Sequence, residues 1–184
     1  HGIIVALDDV TGGLFGDLPV ATDARVRQVV GGARRCDSVR NALATITGED
    51  SAWVLVHDAA RPCIASADIE RLVREVAEDP VGGLLATPMA DTIKRADAGQ
   101  RVAETPPRAG LWRALTPQMF RLGMLRTALA AAEAGGREPT DESQAMEWLG
   151  FAPRLVAGDP GNIKLTTPAD LKLAATWLAQ ENRA

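Results

Sequence analysis

Short, unbroken apolar runs alternate with stretches of helical periodicity along most of this chain, and that alternation restricts its fold more than any other feature. GIIVAL (2–7), RVRQVV (25–30) and AWVLV (52–56) are runs of the kind that fill strands covered on both faces. Between the last two, CDSVRNALATITG sets Val39, Ala42, Leu43 and Ile46 on one helical face, with Asp37 or Ser38 to cap it and Gly48 to stop it. A second helix is predicted over 66–78, with Ile69, Leu72, Val73 and Val76 inward, before GGLLA (82–86) returns as a strand. A helix over 121–134 ends at Gly135-Gly136, and another starts at Thr140 with Asp141 and Glu142 in its first turn. TTPADLKLAATWLA opens the last helix: Thr167 caps, Pro168 takes the first helical position and Asp170 completes a capping box. Strands alternating with helices in this way predict an α/β fold, a doubly wound and mostly parallel sheet.

The alternation breaks between about Pro88 and Gly110, where polar residues dominate, prolines stand at 106 and 107, and only DTIK and RVAE read as β-like. Such a stretch buries little of itself. It is read as a projecting β-arm that gains order on a second subunit, or as a mobile loop. With 184 residues the chain has length for one well-cored domain, and the reading is a single domain over 1–184. No apolar run approaches the roughly 20 residues that span a bilayer. Nothing near the start reads as a secretory signal, which makes the cytoplasm the expected compartment. A formal charge of -4, from 20 Lys and Arg against 24 acids, disfavours a broad grip on nucleic acid, so any phosphate site must be local. Cys36 and Cys63 fit no metal or redox spacing and are read as unlinked thiols.

In doubly wound sheets ligands sit beyond the carboxyl ends of the strands, and the polar clusters of this chain fall there. After one strand comes GGARRCDSV (31–39), whose glycines admit a close backbone approach and whose helix start offers N–H groups; a plain turn and cap would use the same residues. After the next comes HDAARP (57–62). Asp58 could bind Mg²⁺, which typically takes one or two carboxylates plus phosphate oxygens, and Arg61 could hold phosphate through its planar fork. The alternative is a structural Asp58–Arg61 ion pair. His57 suits a packed, hydrogen-bonded role better than a catalytic one. Lys164, ahead of the last helix, suits a phosphate or sugar contact or a plain surface position, and Thr116-Pro117-Gln118 reads as a loop that begins a turn.

Taken in order, GGARRCDSV, VLVHDAARP, DTIKR, LWRALTPQMF, PTDESQAMEWLG and NIKLTTPADL resemble the 2-C-methyl-D-erythritol 4-phosphate cytidylyltransferase family, from Gly31 nearly to the end. The resemblance implies a Rossmann-like nucleotidyltransferase that moves a cytidylyl group from CTP to methylerythritol 4-phosphate with Mg²⁺, releasing pyrophosphate in non-mevalonate isoprenoid synthesis. It implies that Gly32 and Ser38 contact the cytosine and ribose, with Asp58 and Ala59 also on the nucleotide side and Asp58 at the metal. An acid often follows the paired glycines in the family; Ala33 stands there in this chain. Arg61 and Lys164 would engage the methylerythritol phosphate and the nearby nucleotide as the catalytic cations, and Thr116 would position the sugar phosphate. Thr92 and Arg108 resemble residues that reach across a homodimer, whereas Thr140 and Asp141 match a structural motif.

Family members begin with a strand and a glycine-rich loop whose Arg and Lys wrap the triphosphate; here His1-Gly2-Ile3 corresponds to the second strand. Either a segment of roughly 45 residues precedes His1, by the usual size of a strand, loop and helix unit, or this is a shortened, inactive form. The former is favoured, because the sheet edge would otherwise lie open. A phosphate monoester, with a second pKa near about 6, is already an anionic nucleophile and needs no general base, so His57 is expected to be dispensable as a proton carrier. The rival readings are a cytidylyltransferase for another polyol phosphate, such as ribitol 5-phosphate, and a non-catalytic scaffold.

Overall fold

The computed structural model describes residues 2–8 and 13–181, and His1, expected to open a strand, lies outside them. Its elements are β1 (Ile3–Leu7), α1 (Gly13–Gly16), a 3-10 turn (Pro19–Thr22), β2 (Val26–Val30), α2 (Arg35–Ala44), β3 (Trp53–Val56), α3 (Ser66–Val76), β4 (Gly82–Pro88), β5 (Arg95–Ala96), β6 (Val102–Glu104), β7 (Trp112–Arg121), α4 (Leu122–Ala134), α5 (Glu142–Trp148), β8 (Arg154–Ala157) and α6 (Pro168–Glu181). The chain divides into two compact units, one of residues 1–54 and 120–152, the other of 55–119 and 153–184.

In the first unit β1 and β2 pair in parallel, Ile3 opposite Val26 through Leu7 opposite Val30. The pairing continues one residue past β2, Gly31 N–H donating to Leu7 O at 2.7 Å. The next helix, α2, was expected to take Asp37 or Ser38 as its cap. It starts earlier, with Arg34 as the cap residue and no side-chain cap bond. The Ser38 hydroxyl is committed elsewhere, accepting from Gly32 N–H at 3.0 Å, and Asp37 instead pairs with Arg34 at 2.8 Å. Gly48 is not the stop either, since α2 ends at Ala44 with Thr45 as its C-cap and Arg126 donating at 2.7 Å to both Leu43 O and Ile46 O. That cation answers the orphan carbonyls and the negative end of the helix dipole. Helix α4 buries Leu122, Leu125, Ala128, Leu129 and Ala132, the inward stripe of an amphipathic helix. Asp141, expected within the first turn of α5, is its cap and accepts from Gln144 N–H at 2.9 Å. Glu142 behind it is buried and takes a two-pronged bond from Arg35, at 2.7 and 3.0 Å. Burial pushes the Glu142 carboxyl above its usual range, against the pull of Arg35.

The second unit holds most of a four-stranded sheet of order β3-β7-β4-β8. β4 runs parallel to β8, Gly83 opposite Arg154 through Ala86 opposite Ala157, and is buried from Gly82 to Thr87. A methyl on Gly83 would stand 2.4 Å from Arg154 O, so only glycine lets the strands pair here. Leu72 and Val76 of α3 are fully buried, contributing about 2 kcal/mol each through apolar area removed from water. Thr116-Pro117-Gln118, expected in a loop, lies inside β7, where 115–120 are all buried and Thr116-Pro117 is a cis peptide. Proline forfeits one ladder hydrogen bond in a strand, and six consecutive buried side chains outweigh it. The arm is a small antiparallel hairpin of β5 and β6, in which Arg95 pairs with Glu104 at 2.9 Å; its first strand begins just past DTIK. The capping box of α6 forms as expected: Asp170 accepts from Thr166 and Thr167 N–H at 3.0 and 2.7 Å, and Thr167 Oγ1 accepts from Asp170 N–H at 3.3 Å.

Candidate active site

β3 ends at Val56, and the chain turns at once, Arg61 N–H donating to Asp58 O at 2.9 Å. This turn aims His57, Asp58 and Arg61 at Thr116 of β7 and at the loop after β8. The hydrogen bonds fix the imidazole. Arg61 O can only accept, so His57 Nε2, 3.1 Å away, carries the hydrogen and Nδ1 is left as an acceptor. Thr116 therefore donates its hydroxyl hydrogen to Nδ1 at 3.0 Å while accepting from Asp58 N–H at 3.0 Å. Partial removal from water holds the imidazole below its ordinary pKa, against the opposing pull of the Arg61 backbone bond and of the Asp58 charge. With both ring nitrogens engaged by structural partners, His57 braces the turn.

Asp58 and Arg61 are close, Oδ2 to Nε at 4.0 Å, with both side chains almost buried. The shorter partner of Asp58 is Lys164, whose Nζ donates to Oδ2 at 2.9 Å. Arg61 is anchored by two carbonyls, Nη1 donating to Asn162 O at 2.8 Å and Nη2 to Ala114 O at 3.4 Å. The 158–166 loop that carries Lys164 is tied down in turn: Leu165 N–H donates to Ala60 O at 2.8 Å, and the buried Asn162 amide donates from Nδ2 to Thr116 O at 2.7 Å. Two cations, one carboxylate and one hydroxyl thus share a small rim of the second unit. Such a set suits oxyanions, which the guanidinium can fork and the ammonium can meet as a point charge.

The structure brings together Asp58, Arg61, Thr116 and Lys164 of the sequence-derived candidates. Ala59 is exposed in the turn beside them. Thr92 and Arg108 belong to the arm and its base, where both are exposed and Arg108 Nη1 donates to Ala90 O. Gly32 and Ser38 lie in the first unit, bonded to each other. A methyl on Gly32 would come within 2.3 Å of Asp37 Cβ, so the close backbone of this turn requires glycine. Asn162 was missed by sequence reasoning, although it sits inside NIKLTTPADL; a buried amide in a loop leaves no periodic trace.

Among the described residues no three His, Cys, Asp or Glu side chains gather to hold a metal ion. Asp58 alone offers a carboxylate at the rim. That fits Mg²⁺, which often binds through one or two carboxylates and takes substrate phosphates and water as its remaining ligands.

Among the described residues no helix is long and apolar enough to cross a membrane. Residues 1–180 match the family model described as 2-C-methyl-D-erythritol 4-phosphate cytidylyltransferase. Proteins of that name from Pseudomonas putida (strain W619) and Pseudomonas savastanoi pv. phaseolicola are similar to this chain. The first is 52% identical over 166 residues, covering 89% of this chain and 69% of that protein. The second is 50% identical over 181 residues, covering 97% of this chain and 74% of that protein. The crystal structure of the Francisella tularensis 2-C-methyl-D-erythritol 4-phosphate cytidylyltransferase superposes with a TM-score of 0.84 at 33% identity, over 96% of this chain and 80% of that one. The α/β fold is thus that of a nucleotidyltransferase, and the chain belongs to the 2-C-methyl-D-erythritol 4-phosphate cytidylyltransferase family.

Proposed function

We infer that this chain carries out its family's reaction, transfer of a cytidylyl group from CTP to 2-C-methyl-D-erythritol 4-phosphate in isoprenoid synthesis. A phosphate oxygen of the sugar attacks the α-phosphorus of CTP, and a P–O bond forms there. The bond from the α-phosphorus to its bridging oxygen breaks, and its electron pair leaves on pyrophosphate. The product is 4-diphosphocytidyl-2-C-methyl-D-erythritol.

The observation that carries this reading is the joining of Lys164, Asp58, Arg61 and Thr116 through one hydrogen-bonded rim. Gathering two polyanions requires cations set in advance, and preorganised charge does most of the work in phosphoryl transfer. Arg61 and Lys164 hold and neutralise the phosphates, and Thr116, whose hydroxyl hydrogen goes to His57, positions the sugar phosphate by bracing the Asp58 turn. Asp58 and Ala59 are read as facing the nucleotide. A divalent cation such as Mg²⁺, with Asp58 as its protein ligand, would supply further neutralisation of the phosphate oxygens when bound. The proton inventory agrees, since the attacking phosphate is already an anion near neutral pH and His57 has no ring nitrogen to spare for one.

The whole chain is read as one nucleotidyltransferase domain, dimeric through the 88–110 arm, with Thr92 and Arg108 offered to the partner's substrate. Exposed Val102, Leu111 and Trp112 support an apolar contact there. Residence in the cytoplasm agrees with two buried thiols, Cys36 and Cys63. Neither nucleic acid nor membrane is a partner in this reading.

The test is pyrophosphate release by the full-length protein with CTP and a panel of methylerythritol 4-phosphate and ribitol 5-phosphate. Turnover with the first and little with the second supports the reading. Preference for ribitol 5-phosphate reassigns the substrate, and no turnover with either overturns the assignment. Sedimentation showing a stable monomer would remove the cross-subunit role of Arg108.

A further inference from the structure

We propose that Asn162 is a positioning residue of the cytidylyl-transfer site, setting Lys164 and Arg61 through the loop between β8 and α6. The proposal rests on the functional reading above for the meaning of those two cations, and on geometry alone for the positioning. Asn162 is fully buried, yet it belongs to a polar loop rather than to a strand or helix. Its two ends face different parts of the rim. The side-chain Nδ2 donates to Thr116 O at 2.7 Å, which pins the loop to β7. Its own carbonyl accepts from Arg61 Nη1 at 2.8 Å, which pins the guanidinium to the loop. Two residues further on, Lys164 reaches Asp58 at 2.9 Å.

The rest of the loop is shaped to present that amide. Asp159 accepts from Gly161 N–H at 2.6 Å through its side chain and from Asn162 N–H at 3.1 Å through its carbonyl, a tight turn that ends where Asn162 enters the interior. The acceptor half of the amide, Oδ1, has no hydrogen-bond partner among the described residues. An unsatisfied buried acceptor is costly, and an apolar side chain of similar size would fill the space without it. The donor bond to Thr116 O is therefore what the amide contributes beyond volume, and that bond fixes where the loop carries Lys164. Asn162 touches no reacting atom in this account; it acts through Arg61 and Lys164.

Asn162→Ala and the isosteric Asn162→Asp, which sets an oxygen against Thr116 O, test this in the full-length protein. Each is assayed well below its melting temperature and compared with Lys164→Ala and the double variant Asn162→Ala/Lys164→Ala. Either single change at 162 should lower kcat/KM by about tenfold to a hundredfold, as small misplacements of binding groups do. In the Lys164→Ala background the same change should cost no more than about threefold, because the carbonyl that holds Arg61 is main chain and survives the substitution, and residues acting through one group are not additive. An equal cost in both backgrounds would overturn the proposal, as would kcat/KM unchanged in both single variants. A readout independent of turnover is the rate at which a mild acylating reagent modifies Lys164, followed by mass spectrometry. It should rise at least about fivefold in folded Asn162→Asp, since the loop no longer holds the amine to Asp58. An unchanged rate overturns the positioning role even if the wild type proves to act on a different polyol phosphate, whereas absent turnover in the wild type bears only on the functional reading. Should Asn162→Ala not fold, Asn162→Asp and Asn162→Ser carry both measurements.

Discussion

Lys164 holds its ammonium 2.9 Å from Oδ2 of Asp58, across 106 residues of sequence, so the cation that meets phosphate is already oriented by a carboxylate. Replacing it removes charge at the rim while leaving the fold nearly untouched, because the side chain is 43% exposed and such pairs add little stability. Lys164→Ala in the full-length protein is expected to lower kcat/KM by about a hundredfold, the usual cost of one preorganised charge in a polar transition state. Turnover equal to wild type in a pyrophosphate-release assay would remove Lys164 from the chemistry.

His57 bridges Thr116 and Arg61 through its two ring nitrogens, and each half of that bridge can be kept separately. His57→Asn keeps an acceptor near Nδ1, and His57→Gln keeps a donor near Nε2. Each should retain activity within about tenfold, the scale of one lost positioning bond, with His57→Ala below both. A loss in all three as deep as that in Lys164→Ala would show that the ring moves a proton after all.

Gly83 faces the backbone of Arg154 so closely that a methyl would sit 2.4 Å from its carbonyl oxygen. Gly83→Ala must push β4 from β8 or give up part of their ladder, and overpacking of this kind costs about 3 kcal/mol. Urea unfolding should show that loss as a lower midpoint. An unchanged midpoint would mean that the strands separate without penalty.

Glu142 is buried while its partner Arg35 keeps about a third of its side chain in solvent. Glu142→Ala should destabilise the protein by about 3 kcal/mol, the lower end for a broken buried pair, because water can still reach the Arg35 guanidinium. The burial-raised carboxyl adds a sign to the pH dependence. Its contribution favours the native state at low pH and is lost as pH rises through the native pKa, so the gap between Glu142→Gln and wild type should vary with pH around the carboxylate range. A gap that stays constant across that range would contradict the shift.

Asp170 titrates in the other direction. Backbone and hydroxyl bonds from Thr166, then those from Thr167, hold its carboxyl down to about 2, below the ordinary carboxylate value of 3.8. A depressed carboxylate stabilises the native state above the unfolded-state pKa, and that share is lost as pH falls through the native value. Asp170→Asn should therefore flatten the acid limb of the melting curve between roughly pH 4 and pH 2, with carboxyl NMR shifts giving the midpoint. An Asp170 midpoint at or above 3.8 would contradict the capping bonds.

The elements that announced themselves in the sequence did so by period or by chemistry. β1 to β4 showed as apolar runs, α3 by Leu72 and Val76 of its expected inward stripe, though Val73, also expected inward, is 40% exposed, and the start of α6 by Thr167, Pro168 and Asp170. The HDAARP turn stood out because a carboxylate and a guanidinium three residues apart are unusual at the exit of an apolar strand. What stayed hidden depended on contacts distant in sequence. β7 runs through Pro117 because its neighbours bury it, a tertiary effect that overrides the local cost. The cap of α2 was misplaced because Ser38 spends its hydroxyl on Gly32, which no local rule foretells. β8 is only four residues long and takes its strand character from its pairing with β4. Asn162 carries meaning only once Thr116 and Arg61 are known to flank it.

The interleaved order of the two units bears on how this protein can be dissected. Because the chain passes from one unit to the other after Val54, Met119 and Ala152, neither unit is a contiguous stretch of its gene. A fragment that stops at Ala152 strips β4 of its parallel neighbour β8 and removes Lys164 with it. Expression of single segments would thus yield pieces with open strand edges, prone to self-association, and separate study of either unit calls for its two segments to be rejoined through a short linker rather than for truncation.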